Sequence, residues 1–462
     1  MCRQAMHSLM ATGVLLCGVL ACRAAPQTAP EAKAPVWAVR LRFDANTTYQ
    51  TFEGWGIVLP CWLFRRAKDP KQAAAVYDAG PARSNYSDDL NRRLATEMVE
   101  RGFNRFRLEV GPQVEFANDN DDPNVLDPKA FRFKWQDCMV REQLLPMKRL
   151  VEARGERAFV HLSYDLGSGA TPKWLLRPAE YAEMAFATLK HLKETFKLEP
   201  DYWSVINEPG NGGRPGNPKL CAELTAATGR RFRAEGFKTR MSGPDCVTPK
   251  QIDAYMKAMV ATPGALENFA QITYHLYWDP MTVHHRNTIR RWAGKLKVTA
   301  AQTEWMEQTD LRVAEHIVLC LTEADAVAWD RYAWDVGTSV SSQTFRRKST
   351  AWYVRQYSRF IRPGAVRVKM TSPDKAVKPV AFLSPKKKPV LVLLNKDTAP
   401  RTVTIAHLPA GRYEYGHVGD GTLSKIRTLH VDAAGEAKVL LPAKSVLTLT
   451  ADPPAPGPVA PR

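Results

Sequence analysis

The chain has 462 residues, of which 45% are hydrophobic and 9% aromatic, so it can bury a large core and is too long for one small domain. Its 65 Lys and Arg residues outnumber 47 Asp and Glu residues, but the basic residues are scattered and lack a zinc-finger, RNP or basic-helix motif, which argues against a nucleic-acid partner. An anionic polysaccharide or an anionic membrane surface remains open as a partner of this basic surface.

The N-terminus has the features of an export signal: an Arg-bearing start, an apolar stretch over 9–20 and small residues that follow it. The apolar stretch is short for a transmembrane helix. Two interpretations are open. VLAC, ending at Cys22, resembles a bacterial lipobox and would attach a lipidated Cys22 to a membrane, whereas an ordinary secretory signal would be cleaved near Ala25. Both predict an exported protein, located in the periplasm, on the outer membrane or outside the cell.

The cysteines and histidines do not form a recognisable ligand pattern. No CxxC or HExxH motif occurs, and the adjacent His284 and His285 lack the i, i+4 spacing of two ligands on one helical face. The cysteines beyond the leader are odd in number and widely spaced, which argues against a disulfide framework. They are Cys61, Cys138, Cys221, Cys246 and Cys320. We predict no catalytic metal and no cofactor.

Between about Phe52 and Trp352, short apolar runs alternate with segments of helical period, the pattern of βα units around a parallel sheet. Eight such strands predict an α/β fold, a (β/α)8 TIM barrel. The predicted strands are 52–58, 103–110, 158–162, 202–206, 239–242, 272–277, 298–303 and 326–333. The predicted helices are 88–101, 138–154, 179–196, 218–235, 249–261, 283–293 and 311–324.

From about Val366 the pattern changes to alternating strands separated by turn residues, which predicts a C-terminal, all-β, antiparallel sandwich. The segment Trp37 to Asp44 alternates too, and we expect it to join that sandwich as an N-terminal strand. The predicted organisation is a leader over 1–25, a tether over 26–36, the sandwich strand over 37–50, the catalytic barrel over 51–360, the sandwich over 361–452 and a disordered tail over 453–462.

Two glutamates end predicted barrel strands, where the active sites of such barrels lie. YWSVINEPG places Asn207 and Glu208 at the end of the fourth strand, and KVTAAQTEWM places Glu304 at the end of the seventh. Such a pair suits glycosidic cleavage, in which one carboxyl protonates the leaving oxygen and the other attacks the anomeric carbon. We expect an ionised Glu304 to raise the pKa of Glu208. The alternative is that each glutamate caps the helix that follows its strand.

Asn-Glu-Pro after the fourth strand and Glu after the seventh resemble the large clan of retaining (β/α)8 glycosidases. The stretches TFEGWG at the first strand and YVRQYSRFIRPGAVRV after the last barrel helix are similar to glycoside hydrolase family 30, in which a side β-sandwich is fused to the barrel. The resemblance implies retention through a covalent glycosyl-enzyme, with Glu208 as general acid/base and Glu304 as nucleophile.

The same resemblance implies roles for five further residues. Arg107 in FNRFRLEV would contact the nucleophile, and ITYHLYWDP would place His275 and Tyr277 on the sixth strand, with Tyr277 hydrogen-bonded to the nucleophile. Asn207 would contact the sugar 2-hydroxyl, and Trp334 would form an apolar wall for the ring. Without the resemblance, Tyr277 and Trp334 could be core aromatics, His275 a buried structural histidine and Arg107 a member of an ion pair.

Two segments depart from the glucosylceramidase branch of the family. GPQVEFANDND has no counterpart of that branch's aspartate-containing loop, and Gly169 stands where the branch has a tryptophan. The Gly-Trp-Gly start is closer to galactanase-like branches, which leads to endo-β-1,6-galactanase as one interpretation. Arginines on predicted loops favour a competing one, a uronic-acid-bearing xylan or arabinogalactan, because guanidinium groups pair with carboxylates. These arginines are Arg65, Arg66, Arg346 and Arg347.

The sequence therefore predicts an exported retaining O-glycosyl hydrolase that acts on a β-linked oligo- or polysaccharide. The main alternative is a non-catalytic glycan-binding protein on the same barrel, which would not need both carboxylates. A structural surface lipoprotein is a third hypothesis, and it would leave the pair of strand-end glutamates unexplained.

Overall fold

The computed structural model describes residues 37–59, 86–111, 114–115, 117–165, 173–277, 282–306, 309–332, 335–339 and 341–454. Several sequence predictions fall outside these ranges: the leader with Cys22, the residues Cys61, Arg65, Arg66, Gly169 and Trp334, and most of the C-terminal tail. Among the helices of the described part, none has the length and apolar character needed to cross a membrane.

After a first strand, β1 (Trp37–Thr51), eight parallel strands close into a barrel, which confirms the predicted fold class. Their residues are almost entirely buried, because side chains fill the barrel inside and helices cover it outside. The barrel strands are β2 (Gly54–Val58), β3 (Arg105–Val110), β4 (Phe159–Tyr164), β5 (Tyr202–Ser204), β6 (Arg240–Cys246), β7 (Phe269–His275), β8 (Thr299–Glu304) and β9 (Ala328–Tyr332).

The helices lie where the 3.6-residue period predicts them. They are α1 (Asp88–Glu100), α2 (Lys134–Met139), α3 (Leu145–Glu152), α4 (Pro178–Phe196), α5 (Pro218–Ala234), α6 (Ile252–Ala261), α7 (Val283–Leu296), α8 (Asp310–Glu323) and α9 (Ser349–Ser358). The helix predicted over 138–154 is divided by a π-helical segment, Val140–Leu144. Pro146 follows that segment, and its missing N–H removes a helical hydrogen bond at the transition. Helix α9 and a hairpin of β10 (Val336–Ser339) with β11 (Thr344–Arg347) lie outside the predicted elements.

The remaining strands form one ten-stranded sheet with β1. They are β12 (Val366–Thr371), β13 (Val377–Leu383), β14 (Pro389–Asn395), β15 (Arg401–Ala406), β16 (Gly411–Gly419), β17 (Thr422–Leu423), β18 (Arg427–Val431), β19 (Ala437–Leu441) and β20 (Ser445–Thr450). Strands from both ends of this sheet contribute to one buried cluster, so the sheet folds over into a sandwich. The N-terminal strand joins it as expected, and the strands from β12 onward pair antiparallel as predicted. Strand β1 adds a parallel pairing, with β15, which the sequence pattern did not predict.

The sandwich also packs on the barrel. In β14 every residue is buried, and the residues alternate between two cores: Leu391 and Leu393 face the sandwich interior, whereas Val390, Val392 and Leu394 belong to the barrel cluster. This alternation follows from the two-residue period of a strand. A continuous apolar run such as PVLVLLN therefore indicates a strand buried on both faces.

Candidate active site

Glu208 and Glu304 meet at the carboxyl end of the barrel strands. Glu304 is the last residue of β8, and Glu208 lies four residues beyond the end of β5, with a left-handed φ of 49°. Backbone hydrogen bonds hold the segment after β5 between its neighbours, from Asn207 N to Tyr164 O (2.7 Å) and from Glu208 N to Asp245 O (3.0 Å). One carboxylate oxygen of Glu208 and one of Glu304 lie within 4.8 Å of each other.

Glu304 accepts a hydrogen bond on each carboxylate oxygen. Arg107 Nη1 donates to Oε2 at 2.7 Å, and the Tyr277 hydroxyl donates to Oε1 at 3.2 Å. The side chain of Arg107 is fully buried, so its charge acts on Glu304 with little screening by water. Burial and the negative charge of Glu304 raise the pKa of Tyr277, which keeps this hydroxyl a donor. The two donors fix the orientation of the Glu304 carboxylate.

Glu208 has a different set of partners. His275 Nδ1 lies 2.9 Å from Glu208 Oε1, Asn211 Nδ2 donates to Oε2 at 2.7 Å, and Arg214 Nη1 lies 3.8 Å from Oε2. Burial alone would raise the pKa of Glu208, but the contacts with His275, Asn211 and Arg214 outweigh it and hold this pKa below its usual value.

The expectation that Glu304 raises the pKa of Glu208 is therefore wrong for this geometry. Arg107 already compensates the charge of Glu304, and His275 lies between the two carboxylates, with Nδ1 2.9 Å from Glu208 and 3.9 Å from Glu304. The close contact with His275 therefore influences the pKa of Glu208 more than the charge of Glu304, which Arg107 already pairs.

Arg107 links the rest of the site through its other terminal nitrogen. Arg107 Nη2 donates to Asn207 Oδ1 at 2.6 Å and to Ser163 Oγ at 2.9 Å, and it lies 3.2 Å from Asp245 Oδ2. The guanidinium therefore contacts side chains from four barrel strands or the loops that follow them. Its pKa is raised: burial opposes the charge, but Asp245 and Glu304 more than compensate.

Asp245 is the buried counter-ion of this network. Its side chain is inaccessible to solvent and accepts hydrogen bonds from Ser163 Oγ (2.9 Å) and Thr303 Oγ1 (2.8 Å). Burial alone would raise the pKa of Asp245, but Arg107 and the nearby histidines hold it well below its usual range. Burial lowers the pKa of His161, beneath Asp245, to about 3, so His161 is neutral at ordinary pH.

The structure brings Glu208, Glu304, Asn207, Arg107, His275 and Tyr277 into one contiguous network, and Trp334 lies outside the described residues. Sequence reasoning missed Asp245, Asn211 and Arg214. Asp245 could have been predicted, because it lies near the end of β6 in RMSGPDC and polar residues at the ends of barrel strands line the site. Asn211 and Arg214 lie in the glycine-rich loop that follows Asn-Glu-Pro, which carries no periodic signal.

Glu208, His275 and Glu304 are the group of described residues whose types and spacing could hold a metal ion. The electrostatics disfavour a cation there, because Arg107 already occupies one oxygen of Glu304 and supplies a positive charge at 2.7 Å. The surroundings of Glu208 and Glu304 therefore suit two free carboxyl groups better than a bound metal ion.

Comparison with known proteins places this geometry in context. Residues 364–449 match the model of the glycosyl hydrolase family 30 beta sandwich domain. No curated protein sequence matches the chain. The matched residues lie in the sandwich, and the barrel is outside them.

The fold is similar to solved structures over nearly its whole length. A GH30 endoxylanase from Clostridium papyrosolvens C71 is 16% identical, with 89% of this chain and 99% of that chain covered and a TM-score of 0.66. The endo-β1,6-glucanase BT3312 is 15% identical, with 90% and 95% covered and a TM-score of 0.63. A conserved exported protein from Bacteroides fragilis is 14% identical, with 89% and 99% covered and a TM-score of 0.64. At these identities the likeness shows the fold.

Proposed function

We propose that this chain, whose resemblance to glycoside hydrolase family 30 is confirmed by its sandwich and by its fold, is a retaining glycoside hydrolase. The observation that carries the proposal is the approach of the Glu208 and Glu304 carboxylate oxygens to within 4.8 Å. Retaining glycosidases hold their carboxyl groups about 5–5.5 Å apart, whereas an inverting enzyme needs about 6.5–9.5 Å to admit a water molecule between carboxylate and sugar.

In the first step of the proposed reaction, the Glu304 carboxylate attacks the anomeric carbon while Glu208 gives its proton to the departing glycosidic oxygen. In the second step, Glu208 takes a proton from water, and the water oxygen displaces Glu304 from the anomeric carbon. The contacts of Arg107 and Tyr277 support the nucleophile role, since both donate to Glu304 and hold its carboxylate in place.

The acid role of Glu208 requires its pKa to rise when a glycan fills the site. The exposed fraction of Glu208 is only 7%. A sugar ring over it would remove most of the remaining water, and this loss of solvation would raise its pKa. We propose that substrate binding also competes for the Asn211 amide and thereby weakens the contact that keeps Glu208 ionised. Asn207, held by Arg107, is the candidate partner of the sugar 2-hydroxyl.

The proposed substrate is a β-linked oligo- or polysaccharide. The solved structures with this fold include an endoxylanase and an endo-β1,6-glucanase, and β-1,6-galactan remains a candidate on the motif resemblance. For a uronic-acid-bearing glycan, Arg346 is the supporting arginine among the described residues, because Arg347 is engaged by Glu97 at 2.5 Å. The predicted Arg65 and Arg66 lie outside the described residues. We propose that the protein acts after export, with no cofactor, and attaches to a membrane if Cys22 is lipidated.

The test is hydrolysis of aryl β-glycosides and of β-1,3-, β-1,4- and β-1,6-linked polysaccharides, in neutral and uronic-acid-bearing forms, by wild type, Glu304→Ala and Glu208→Ala. Glu223→Gln, a change at a partly exposed residue of α5, is the matched control. We expect loss of activity in Glu304→Ala, with azide restoring turnover of aryl glycosides as the product of opposite anomeric configuration. Tight glycan binding by wild type without turnover of any substrate would instead identify a non-catalytic glycan-binding protein.

A further inference from the structure

The loop that carries Glu208 folds back on itself beside the carboxylate. It runs from Glu208 to Gly216, and we call it the Glu208 loop. A Cβ atom at Gly216 would lie 2.7 Å from the Gly210 Cα, so the two parts of the loop approach too closely for a side chain there. Asn211 N donates to Glu208 O at 3.0 Å, and Arg214 N donates to Asn211 O at 3.1 Å. These turns bring the side chains of Asn211 and Arg214 to the same carboxylate oxygen of Glu208.

Arg214 joins the Glu208 loop to a neighbouring barrel strand. Its Nε and Nη2 donate to Asp165 Oδ1 at 3.0 and 2.6 Å, and Asp165 is the residue that follows β4. The side chains of Arg214 and Asp165 are 13% and 19% exposed, so water screens their attraction only in part. The third nitrogen, Nη1, donates to Asn211 O at 3.3 Å and lies 3.8 Å from Glu208 Oε2. One guanidinium therefore connects the end of β4, the backbone of the loop and the proposed acid/base.

The two oxygens of Glu208 differ in what holds them. Oε1 lies 2.9 Å from Nδ1 of His275, which is completely buried at the end of β7, whereas Oε2 faces Asn211 and Arg214 in the loop. Burial opposes the ionisation of Glu208, but His275, Asn211 and Arg214 together hold its pKa below the usual value. Burial also opposes the charge of Arg214, but Asp165 and Glu208 raise its pKa, so the guanidinium stays charged. Arg214 thus brings a permanent positive charge to the loop side of Glu208.

Other ionisable groups, from several barrel strands, surround Glu208 and its partners. They are Arg107 and Glu109 in β3, Asp165 after β4, Asp245 in β6, His275 in β7 with Tyr277 after it, and Glu304 in β8. Arg107, Asp245 and Glu304 compensate one another inside the buried network. The pair of Arg214 with Asp165 is more exposed than these residues, so either charge can be removed without a change to the network.

We infer that Arg214, anchored by Asp165, is a positioning residue for the general acid/base: it holds the Glu208 loop against the carboxylate and favours the ionised form of Glu208 through its charge. The inference rests on the proposed function, because Arg214 acts through Glu208 and not on the glycan. Asp165 has two effects of opposite kind. Its carboxylate fixes the guanidinium in place, and its negative charge offsets part of the positive charge that Glu208 experiences. The ion pair therefore sets how strongly Glu208 holds its proton.

The test compares Arg214→Met with Asp165→Asn in the pH dependence of kcat/KM for an aryl β-glycoside that the wild type hydrolyses. Arg214→Met removes the positive charge beside Glu208, so the alkaline limb should move to higher pH. Asp165→Asn keeps an oxygen that can accept from Arg214 but removes the negative charge, so the limb should move to lower pH. A purely structural ion pair predicts the same direction in both variants, because each breaks the same contact.

Two further variants serve as controls. Arg214→Lys keeps the charge, so its alkaline limb should lie closer to that of the wild type than the limb of Arg214→Met does. Arg412→Met removes an exposed guanidinium from the sandwich strand β16, where it bonds Glu414 at 3.1 Å, and should leave the profile in place. His275 is present in every one of these variants, so its own titration is common to all the profiles.

A second measurement does not depend on activity. Carbon-13 NMR titration of the glycan-free protein, labelled at the glutamate carboxyl carbons, follows the ionisation of Glu208 directly, and Glu208→Gln identifies its signal. We expect the pKa of Glu208 to rise in Arg214→Met and to fall in Asp165→Asn. Shifts in the same direction, or no shift in either folded variant, would overturn the inference, and Asp165→Asn decides alone if Arg214→Met does not fold. A wild type that hydrolyses no glycoside would overturn the proposed function, whereas the titration would still decide the role of Arg214.

Discussion

At the scale of single residues, the two carboxylates differ because their donors differ. Glu304 is fixed by a guanidinium and a phenol, whereas Glu208 is held by an imidazole and an amide. Both sets of donors stabilise negative charge, so the distinction between nucleophile and acid depends on which contacts persist when a glycan binds. The proposed mechanism therefore makes predictions about individual donors.

We expect Tyr277→Phe to lower kcat/KM for aryl β-glycosides by about 10- to 100-fold, because it removes a hydrogen bond to a charged group worth about 1.5–3 kcal/mol. Steady-state kinetics across a range of leaving groups measure the effect. Tyr255→Phe, which removes a hydroxyl bonded to the Gly216 carbonyl outside the network, is the control. Equal loss in both variants would contradict a specific role for Tyr277.

We expect Asn211→Ala to raise the pKa of Glu208, because the amide favours its ionised form. A general acid is active below its pKa, so the alkaline limb of kcat/KM against pH should move to higher pH. Asn287→Ala, an exposed change on α7, should leave the profile in place. A shift to lower pH would contradict the assignment.

Asp245→Asn should destabilise the protein by up to about 3–5 kcal/mol, because it removes one of the two carboxylates that compensate the buried charge of Arg107. Urea denaturation monitored by tryptophan fluorescence measures the loss. The folded pKa of Asp245 is depressed, so its contribution is present above the unfolded pKa and is lost as pH falls through the folded value. The difference between wild type and variant should therefore shrink on acidification, and a constant difference would contradict the ion pair.

At the scale of elements, close packing explains motifs that carry no chemistry. In TFEGWG, a Cβ atom at Gly54 would lie 2.2 Å from the Asn104 side chain, and one at Gly56 would lie 2.0 Å from Asp330. Both glycines let β2 approach its neighbours at the end of the barrel opposite the active site. The motif that resembles the family is thus a structural requirement of the first barrel strand.

Helix α1 begins at a cap that the sequence makes visible. Ser87 accepts a hydrogen bond from Leu90 N at 3.2 Å, and Asp88 and Asp89 occupy the first turn. We expect Ser87→Ala to lower the free energy of unfolding by about 1 kcal/mol, the usual cost of removing a cap. Chemical denaturation tests this, and Ser341→Ala in the exposed turn between β10 and β11 serves as the control.

At the scale of the whole molecule, the barrel and the sandwich share one core. Phe52 packs against Phe382 with ring centroids 5.9 Å apart, and Thr448 Oγ1 donates to Gln356 O at 2.7 Å. Along β14, alternate residues belong to the barrel cluster and to the sandwich cluster, so the contact between the two parts continues along this strand. The two parts are therefore expected to unfold together.

We expect calorimetry to show a single unfolding transition. Phe382→Ala should lower the temperature of this transition without dividing it, because removal of a buried aromatic side chain lowers the free energy of unfolding by about 3–5 kcal/mol. Met306→Ala, at an exposed hydrophobic residue, is the control. A separate early transition of the sandwich, with the barrel unaffected, would contradict the shared core.

The barrel strands, most helices and the two strand-end carboxylates are predictable from the sequence, because residue period and capping are local and an apolar run that ends in Asn-Glu-Pro marks a strand end. Helix α9 and the hairpin of β10 with β11 are not. Three features follow from long-range contacts instead: the parallel pairing of β1 with β15, the role of Asp245 as counter-ion and the direction of the Glu208 pKa shift. Arg107 and Glu304 are 197 positions apart, and Arg107 and Asp245 are 138 apart. Contacts of such separation are set by strand order and stagger in the closed barrel, which no local pattern records.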